Sequence, residues 1–299
     1  MMNKKTVFKG VATALYTPFT KNGIDFEQFE RQIDRQLKAK VDALVFLGTT
    51  GEAPTLEDNE HLDVIEYSVK KVAGKIPVIA GTGSNNTAHA VMMNKEAEKR
   101  GADGLLWVTP YYNKTTQRGL FEHYKTLAES TSLPAILYNV PGRTGVNLLP
   151  ETVAKLSQFE NIVAVKEASG NIKQTIEILK LCKDNMTVYS GDDDLIVPLM
   201  SVGAQGVISV LSNIAPKETH DLCELCFKGD YVNAAKMQIK YSDLIKALFC
   251  EVNPIPVKTA LKLMGMGNGE IRLPLYDMEE KNVEFLKKQL IETGLYTKE

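Results

Sequence analysis

The chain has 299 residues, enough for one large domain with an extension. Its hydrophobic content of 44% and charged content of 24% match an ordinary soluble globular protein. A net charge of -2 argues against a basic surface for nucleic acid or an anionic membrane, and no apolar run approaches a membrane span.

Lys9 interrupts the stretch after Lys4 and Lys5, so no signal peptide is expected. The cysteines, Cys182, Cys223, Cys226 and Cys250, are sparse and form no disulfide framework, which suits a reducing cytoplasm. His220, Cys223 and Cys226 could be half a metal site, but they share one side of a helix with no fourth ligand nearby, so no metal is expected.

From the N-terminus, strands alternate with helices. Gly10–Leu15 reads as strand one. Asp25 then caps a helix whose apolar face is Phe26, Phe29, Ile33 and Leu37. Strand two, Ala43–Leu47, leads into the loop Gly48-Thr-Thr-Gly-Glu52. Thr55–Asp58 reads as a capping box for a helix faced by Leu62, Ile65, Val69 and Val72. Strand three is Ile76–Ala80, followed by Gly81-Thr-Gly-Ser-Asn85. Strand four is Gly104–Val108, followed by Thr109-Pro-Tyr-Tyr-Asn113. Strand five is Ala135–Tyr138, followed by Asn139-Val-Pro-Gly-Arg-Thr-Gly145. Strand six is the apolar run that begins after Asn161 and ends in Lys166. Strand seven is Thr187–Tyr189, and strand eight is Gly206–Val210.

Eight short apolar strands separated by helix-length segments imply a parallel sheet, most simply a closed (β/α)8 TIM barrel. The alternative is an open doubly wound sheet. Its dinucleotide signature, Gly81-x-Gly83, lacks a third glycine at Asn86. After about residue 225 the alternation stops. Tyr241, Leu244, Ile245 and Leu248 form one helical face; Val257, Ala260, Leu261 and Met264 form a second behind Pro254 and Pro256; Val283, Leu286 and Leu290 form a third. The expected organisation is a barrel over residues 1–225 that carries the active site, and an all-helical extension over 226–299.

In a barrel the C-terminal strand ends share one face, where active sites are built. Lys166 ends strand six on that face. Burial there disfavours the charged ammonium, and a free amine can attack a ketone to form a Schiff base. The alternative is a lysine that snorkels outward or pairs with Glu167. Thr49 and Thr50, between Gly48 and Gly51, suit a small carboxylate, or simply cap a tight turn. Tyr138 ends strand five beside Lys166 and could pass protons, or anchor the rim. Arg143 offers a fork for a second carboxylate, or is a solvated arginine. Tyr111 and Tyr112 suggest a contact surface with a ligand or another subunit. Asp192, Asp193 and Asp194 could bind a cation but read as caps for the next helix. His61, His89 and His123 lack a Ser or Cys partner at any recognisable spacing and read as surface or interface residues.

The set Gly48–Glu52, Thr109–Asn113, Tyr138–Gly145 and Val165–Gly170 resembles the dihydrodipicolinate synthase family. That family lies within the pyruvate-dependent class I aldolases, together with N-acetylneuraminate lyase. The likeness covers essentially the whole chain. It implies a Schiff base between pyruvate and Lys166, proton transfer by Tyr138, and pyruvate carboxylate binding by Thr50, with Thr49 and Tyr112 completing a hydroxyl relay. Tyr112 would reach in from a neighbouring subunit. Ile208 would contact pyruvate through its backbone, and Arg143 would receive the carboxylate of L-aspartate 4-semialdehyde. The implied activity is that of a 4-hydroxy-tetrahydrodipicolinate synthase in the lysine and diaminopimelate pathway.

The implied assembly is a homotetramer, a dimer of dimers. No metal or organic cofactor is implied, because the protonated imine serves as electron sink. The alternatives are a sister aldolase, of the N-acetylneuraminate lyase or keto-deoxy sugar acid type, and a non-catalytic barrel that binds a keto acid. Many bacterial members are inhibited by L-lysine. His61, Asn85 and Tyr111 match that site, but Asp58 stands in place of a histidine and His89 in place of a glutamate. Weak lysine inhibition, or none, is expected.

Overall fold

The computed structural model describes residue 4 and residues 6–296. Eight parallel strands close into a barrel: β1 (Gly10–Ala14), β2 (Ala43–Phe46), β3 (Val78–Gly81), β4 (Gly104–Val108), β5 (Ala135–Asn139), β6 (Ile162–Glu167), β7 (Thr187–Ser190) and β8 (Gly206–Ser209). Each strand pairs with its sequence neighbours, and β1 closes the circle by pairing with both β2 and β8. This is the expected (β/α)8 architecture. β3 starts at Val78 rather than Ile76, since Pro77 has no N–H to give the ladder. The side chain of Asp103 instead accepts the Val78 N–H at 2.9 Å.

Alternation along the strands sorts the side chains into two cores. Val11, Leu44, Leu105, Leu137, Val165, Val188 and Val207 pack outward against the helices. Ala12, Ala43, Ile79, Ile136, Ala164, Tyr189 and Ile208 fill the barrel interior. Small residues at positions 12, 43 and 164 leave room for the bulk of Tyr189 and Tyr138. At the lower end Phe8 stacks on Tyr189 with centroids 4.1 Å apart, and the Tyr189 hydroxyl donates to the Phe8 carbonyl at 2.6 Å. β1 and β8 meet through Gly10 and Gly206. A Cβ on Gly206, at φ +138, would stand 1.9 Å from the Gly10 carbonyl oxygen, so only glycine fits.

The outer ring is α1 (Phe26–Lys38), α2 (Asp58–Val72), α3 (Thr87–Lys99), α4 (Gln117–Ala128), α5 (Pro150–Leu156), α6 (Ile172–Cys182), α7 (Ile196–Ser201) and α8 (Pro216–Phe227). Asp25 caps α1 as expected, accepting the Gln28 N–H at 2.9 Å. The capping box at α2 lies two residues later than the expected Thr55–Asp58. Glu57 is the N-cap, and its N–H donates to Glu60 at 3.2 Å. Thr55 instead ends a short 3-10 turn, which delays the helix. The inward stripe of α2 is accordingly His61, Val64, Ile65, Ser68 and Val72, with Leu62 and Val69 only half-buried.

Three further helices follow: α9 (Tyr231–Leu248), α10 (Ile255–Leu263) and α11 (Glu280–Thr293). Tyr241, Leu244, Ile245 and Leu248 share a core with Val257, Ala260, Leu261, Leu286 and Leu290, while Met264 and Val283 are half-buried at its margin. Tyr16, Val210, Leu211 and Ile214 from the barrel mouth belong to the same core. The extension is therefore packed onto the face that carries the strand C-termini. Each fully buried leucine or isoleucine there contributes about 1.5–3 kcal/mol.

Candidate active site

Lys166 lies on the inward side of β6, two residues after Ala164, and is 5% exposed. Its register partners are Tyr138 on β5 and Tyr189 on β7. Its Nζ sits 4.1 Å from the centroid of the Tyr138 ring. Glu167 faces the opposite way. Its carboxylate accepts from Asn139 Nδ2 at 3.0 Å, Gln174 Nε2 at 3.2 Å and the Ser169 N–H at 2.8 Å. Strand alternation thus separates the two charges and removes the Lys166–Glu167 pairing as an account of the lysine. Among the described residues, Lys166 joins no ion pair.

A cavity of about 160 Å³ opens above the amine, lined by Ala14, Thr49, Thr50, Tyr138, Arg143, Lys166, Asp192 and Asn253 among others. Thr50 is buried, and its Oγ1 accepts from Asn253 Nδ2 at 3.0 Å. Thr49 is half-buried at the lip shared with a second cavity of about 430 Å³. Arg143 is exposed, but its Nη2 donates to the Asn253 carbonyl at 3.3 Å, which turns the guanidinium to the mouth. Lys166, Tyr138, Thr49, Thr50 and Arg143 therefore meet in one place.

Two predicted site residues stand apart. Ile208 is fully buried in the barrel interior beside Ala12, and does not line the cavity; Val210, two residues on, does. Tyr112 is 90% exposed and lines neither cavity, with φ 67. A bulky residue in the left-handed region costs on the order of 1–3 kcal/mol.

Three readings of polar residues need correction. Asp193 neither caps a helix nor faces solvent. It is buried, and its Oδ2 accepts the Val210 and Leu211 N–H groups at 3.0 and 2.9 Å, tying the end of β7 to the loop after β8. His61 and His123 are buried rather than on the surface. His61 Nε2 donates to the Gly81 carbonyl at 2.9 Å, and desolvation pushes its pKa down to about 4. His123 meets Thr87 Oγ1 at 2.9 Å, and burial likewise pushes it down to about 4. Only His89 fits the surface reading, paired with Asp58 at 2.9 Å. Both line the second cavity with His61 and Tyr111. His220, for its part, lies 3.4 Å from Asp42, while Cys223 and Cys226 point into the apolar core.

The sequence reading missed the contribution of the extension. Asn253 reaches the cavity from the segment between α9 and α10, and the Pro254–Pro256 break was its only signal. Behind the Thr49–Thr50 turn, Glu52 forms a buried ion pair with Lys258 of α10. Lys258 also donates to the Glu270 carbonyl at 2.8 Å, and the Arg272 N–H donates to Glu52 at 3.1 Å. Arg272 then forks onto Glu60 with both nitrogens at 2.6 Å. Burial pushes the Lys258 pKa down to about 8 against the opposing pull of Glu52.

A sequence model described as the Dihydrodipicolinate synthetase family matches residues 7–293. The 4-hydroxy-tetrahydrodipicolinate synthase of Acetivibrio thermocellus is 53% identical over 98% of this chain and 99% of its own length. The enzyme of that name from Caldicellulosiruptor saccharolyticus is 55% identical over 98% and 99%. Among solved structures, a dihydrodipicolinate synthase from Thermotoga maritima superposes with a TM-score of 0.95 at 47% identity, over 97% of this chain and all of that one. With a buried lysine at the barrel mouth, and family likeness from end to end, this chain belongs to the dihydrodipicolinate synthetase family of enzymes.

Proposed function

We propose that the chain condenses pyruvate with L-aspartate 4-semialdehyde, the activity for which its relatives are named, and that Lys166 carries the chemistry as a Schiff base. The observation that supports this reading is the 5% exposed Lys166 amine, seated 4.1 Å from the Tyr138 ring in a cavity shared with Thr50. The amine adds to the ketone carbon of pyruvate, and loss of water gives an iminium. The iminium acidifies the methyl group, and removal of one proton leaves an enamine. The enamine carbon attacks the aldehyde, and Tyr138 returns a proton to the resulting alkoxide. The substrate amine then closes the ring onto the imine carbon and displaces Lys166. Such general acid–base groups contribute about 10²–10⁴-fold.

Thr50 holds the pyruvate carboxylate, and Arg143 at the lip takes the carboxylate of the second substrate. Thr49 and Tyr112 complete the relay, with Tyr112 supplied across a subunit interface. Its 90% exposure suits donation to a neighbouring copy, within a homotetramer. Ile208 contributes through its backbone. Residues 1–225 form the catalytic barrel and 226–299 the helical unit, in a cytoplasmic enzyme. Among the described residues, no helix is long and apolar enough to cross a membrane.

The test is to incubate the protein with pyruvate and borohydride and weigh it. A stable pyruvate adduct mapped to Lys166 is expected, followed by turnover when L-aspartate 4-semialdehyde is added. An unmodified mass would leave only a keto-acid-binding barrel. An adduct without turnover, but with activity on other aldehydes, would indicate a sister aldolase.

A further inference from the structure

Two polar groups in the catalytic cavity have no task in the chemistry above. Asn253 is 4% exposed and spends its amide nitrogen on Thr50. Its side-chain oxygen, Oδ1, is buried without any hydrogen-bond partner. A buried acceptor left in this state is costly, and a group lining a substrate cavity is completed by a donor on the substrate. Asp192 lines the same cavity from the β7 loop, next to Gly191 and in common with Lys166. Only its backbone is used locally: its N–H donates to Ser190 Oγ at 3.2 Å, and its carbonyl accepts from Ser190 Oγ at 2.7 Å. Desolvation pushes its carboxyl up to about 6, with Lys166 pulling the other way.

We infer that Asp192 and Asn253 together form the receptor for the ammonium group of the second substrate, and that Asp192 accepts the ammonium proton so that the amine can close the ring. The inference rests on the proposed function. It accounts for a feature of that substrate which Arg143 leaves unmet. The carboxylate and the ammonium sit on one carbon, so their receptors must adjoin. The Arg143 guanidinium rests 3.3 Å from the backbone carbonyl of Asn253, the residue whose Oδ1 is free. A fork for the anion and an acceptor for the cation thus share one wall of the mouth.

The proton balance closes without a further reactant. The ammonium gives one proton to Asp192. The freed nitrogen lone pair bonds to the imine carbon. Asp192 passes its proton to the Lys166 nitrogen and takes one from the new ring nitrogen. The lone pair of that ring nitrogen forms the ring C=N bond as the carbon–nitrogen bond to Lys166 breaks and its electron pair leaves on the lysine nitrogen.

The experiment compares L-aspartate 4-semialdehyde with 4-oxobutanoate, which has the same aldehyde and carboxylate but hydrogen in place of the ammonium. In Asp192→Asn, kcat/KM for L-aspartate 4-semialdehyde should fall about a hundredfold, the scale of a lost buried charge contact. The inhibition constant of 4-oxobutanoate should stay within about threefold of wild type, and borohydride should trap pyruvate on Lys166 as before. Asp192→Ala should behave alike. Asn253→Ala should raise KM for both substrates, because it also frees Thr50. An Asp192→Asn enzyme with kcat/KM within about threefold of wild type would overturn the inference. So would a parallel weakening of 4-oxobutanoate binding, which would mean a general collapse of the cavity. A wild-type enzyme that traps pyruvate but leaves L-aspartate 4-semialdehyde unchanged would instead sink the proposed function, and this inference with it.

Discussion

Replacing Lys258 by methionine tests whether the helical extension holds the Gly48–Glu52 turn. The side chains of Lys258 and Glu52 are 2% and 1% exposed. Methionine fills much the same space but leaves the Glu52 carboxylate buried with only the Arg272 N–H, at 3.1 Å, to satisfy it. Breaking a buried pair by removing one partner costs about 3–5 kcal/mol. For a chain of 299 residues each kcal/mol lowers the melting midpoint by about 1.6 °C, so a fall of roughly 5–8 °C is expected. Glu52→Leu/Lys258→Met removes the stranded charge and should regain most of that loss, since an apolar replacement of a whole buried pair is about neutral. Thermal denaturation of the four proteins of this cycle, at one concentration and pH 7, gives the coupling directly. A single variant within about 1 °C of wild type would refute the reasoning, as would a double variant no more stable than the single. In the single variant the pyruvate KM should also rise, because Thr50 sits two residues before Glu52.

Lys166→Arg should abolish borohydride trapping and turnover together, since a guanidinium forms no imine; mass spectrometry and a coupled assay check both. Tyr138→Phe should keep the trapped adduct but lower kcat about 10²–10⁴-fold, and single-turnover kinetics would show whether the loss falls on proton transfer. L-Lysine should inhibit weakly or not at all, because His89 offers the ligand's amine no carboxylate and Asp58 Oδ1 is already engaged by His89 Nε2 at 2.9 Å in the second cavity; a micromolar inhibition constant would contradict this. His61 and His123 are held neutral by burial, with pKa values pushed from 6.5 down to about 4. Because the unfolded chain binds the protons more readily, the stability each neutral ring confers is full above pH 6.5 and is lost as the pH falls toward 4, on the order of 3 kcal/mol apiece at most. The melting midpoint of His123→Gln should therefore drop less between pH 7 and pH 4 than that of wild type.

The barrel was legible because its signal is local. A run such as Ile162–Glu167 is buried on both faces, and Lys166 announces itself by interrupting an apolar strand. The same rhythm puts Tyr138, Thr49, Thr50 and Arg143 at one mouth, where the cavity joins them. What escaped was set by groups far apart in the chain. Asn253 meets Thr50 across 203 residues, and Lys258 meets Glu52 across 206, and no periodicity encodes either meeting. Asp193 misled for a related reason. Acidic residues just before a helix read as caps, yet this one turns inward to bind two backbone N–H groups of a neighbouring loop. The histidines misled because an amphipathic helix such as α2 tolerates one polar group on its buried stripe when a carbonyl, here that of Gly81, waits to receive it.

The long-range contacts also explain why the barrel carries an extension at all. Strand ends aim Lys166 and Tyr138 without help, because the ladder fixes their backbones on both sides. The Gly48–Glu52 turn has no such frame. Leu47 at φ 60 and Glu52 at φ 52 both occupy the left-handed region, which costs on the order of 1–3 kcal/mol each. A turn with that strain would relax, and the Thr50 hydroxyl would wander with it, unless something outside the strands held it. Lys258 and the Arg272 backbone grip Glu52 from behind, and Asn253 grips Thr50 from in front. A carboxylate receptor must hold its geometry to within a few tenths of an ångström to favour one transition state. On the proposed function, the amine that forms the Schiff base is then a property of the barrel, whereas the binding of the acid it captures is a property of the barrel and the extension together.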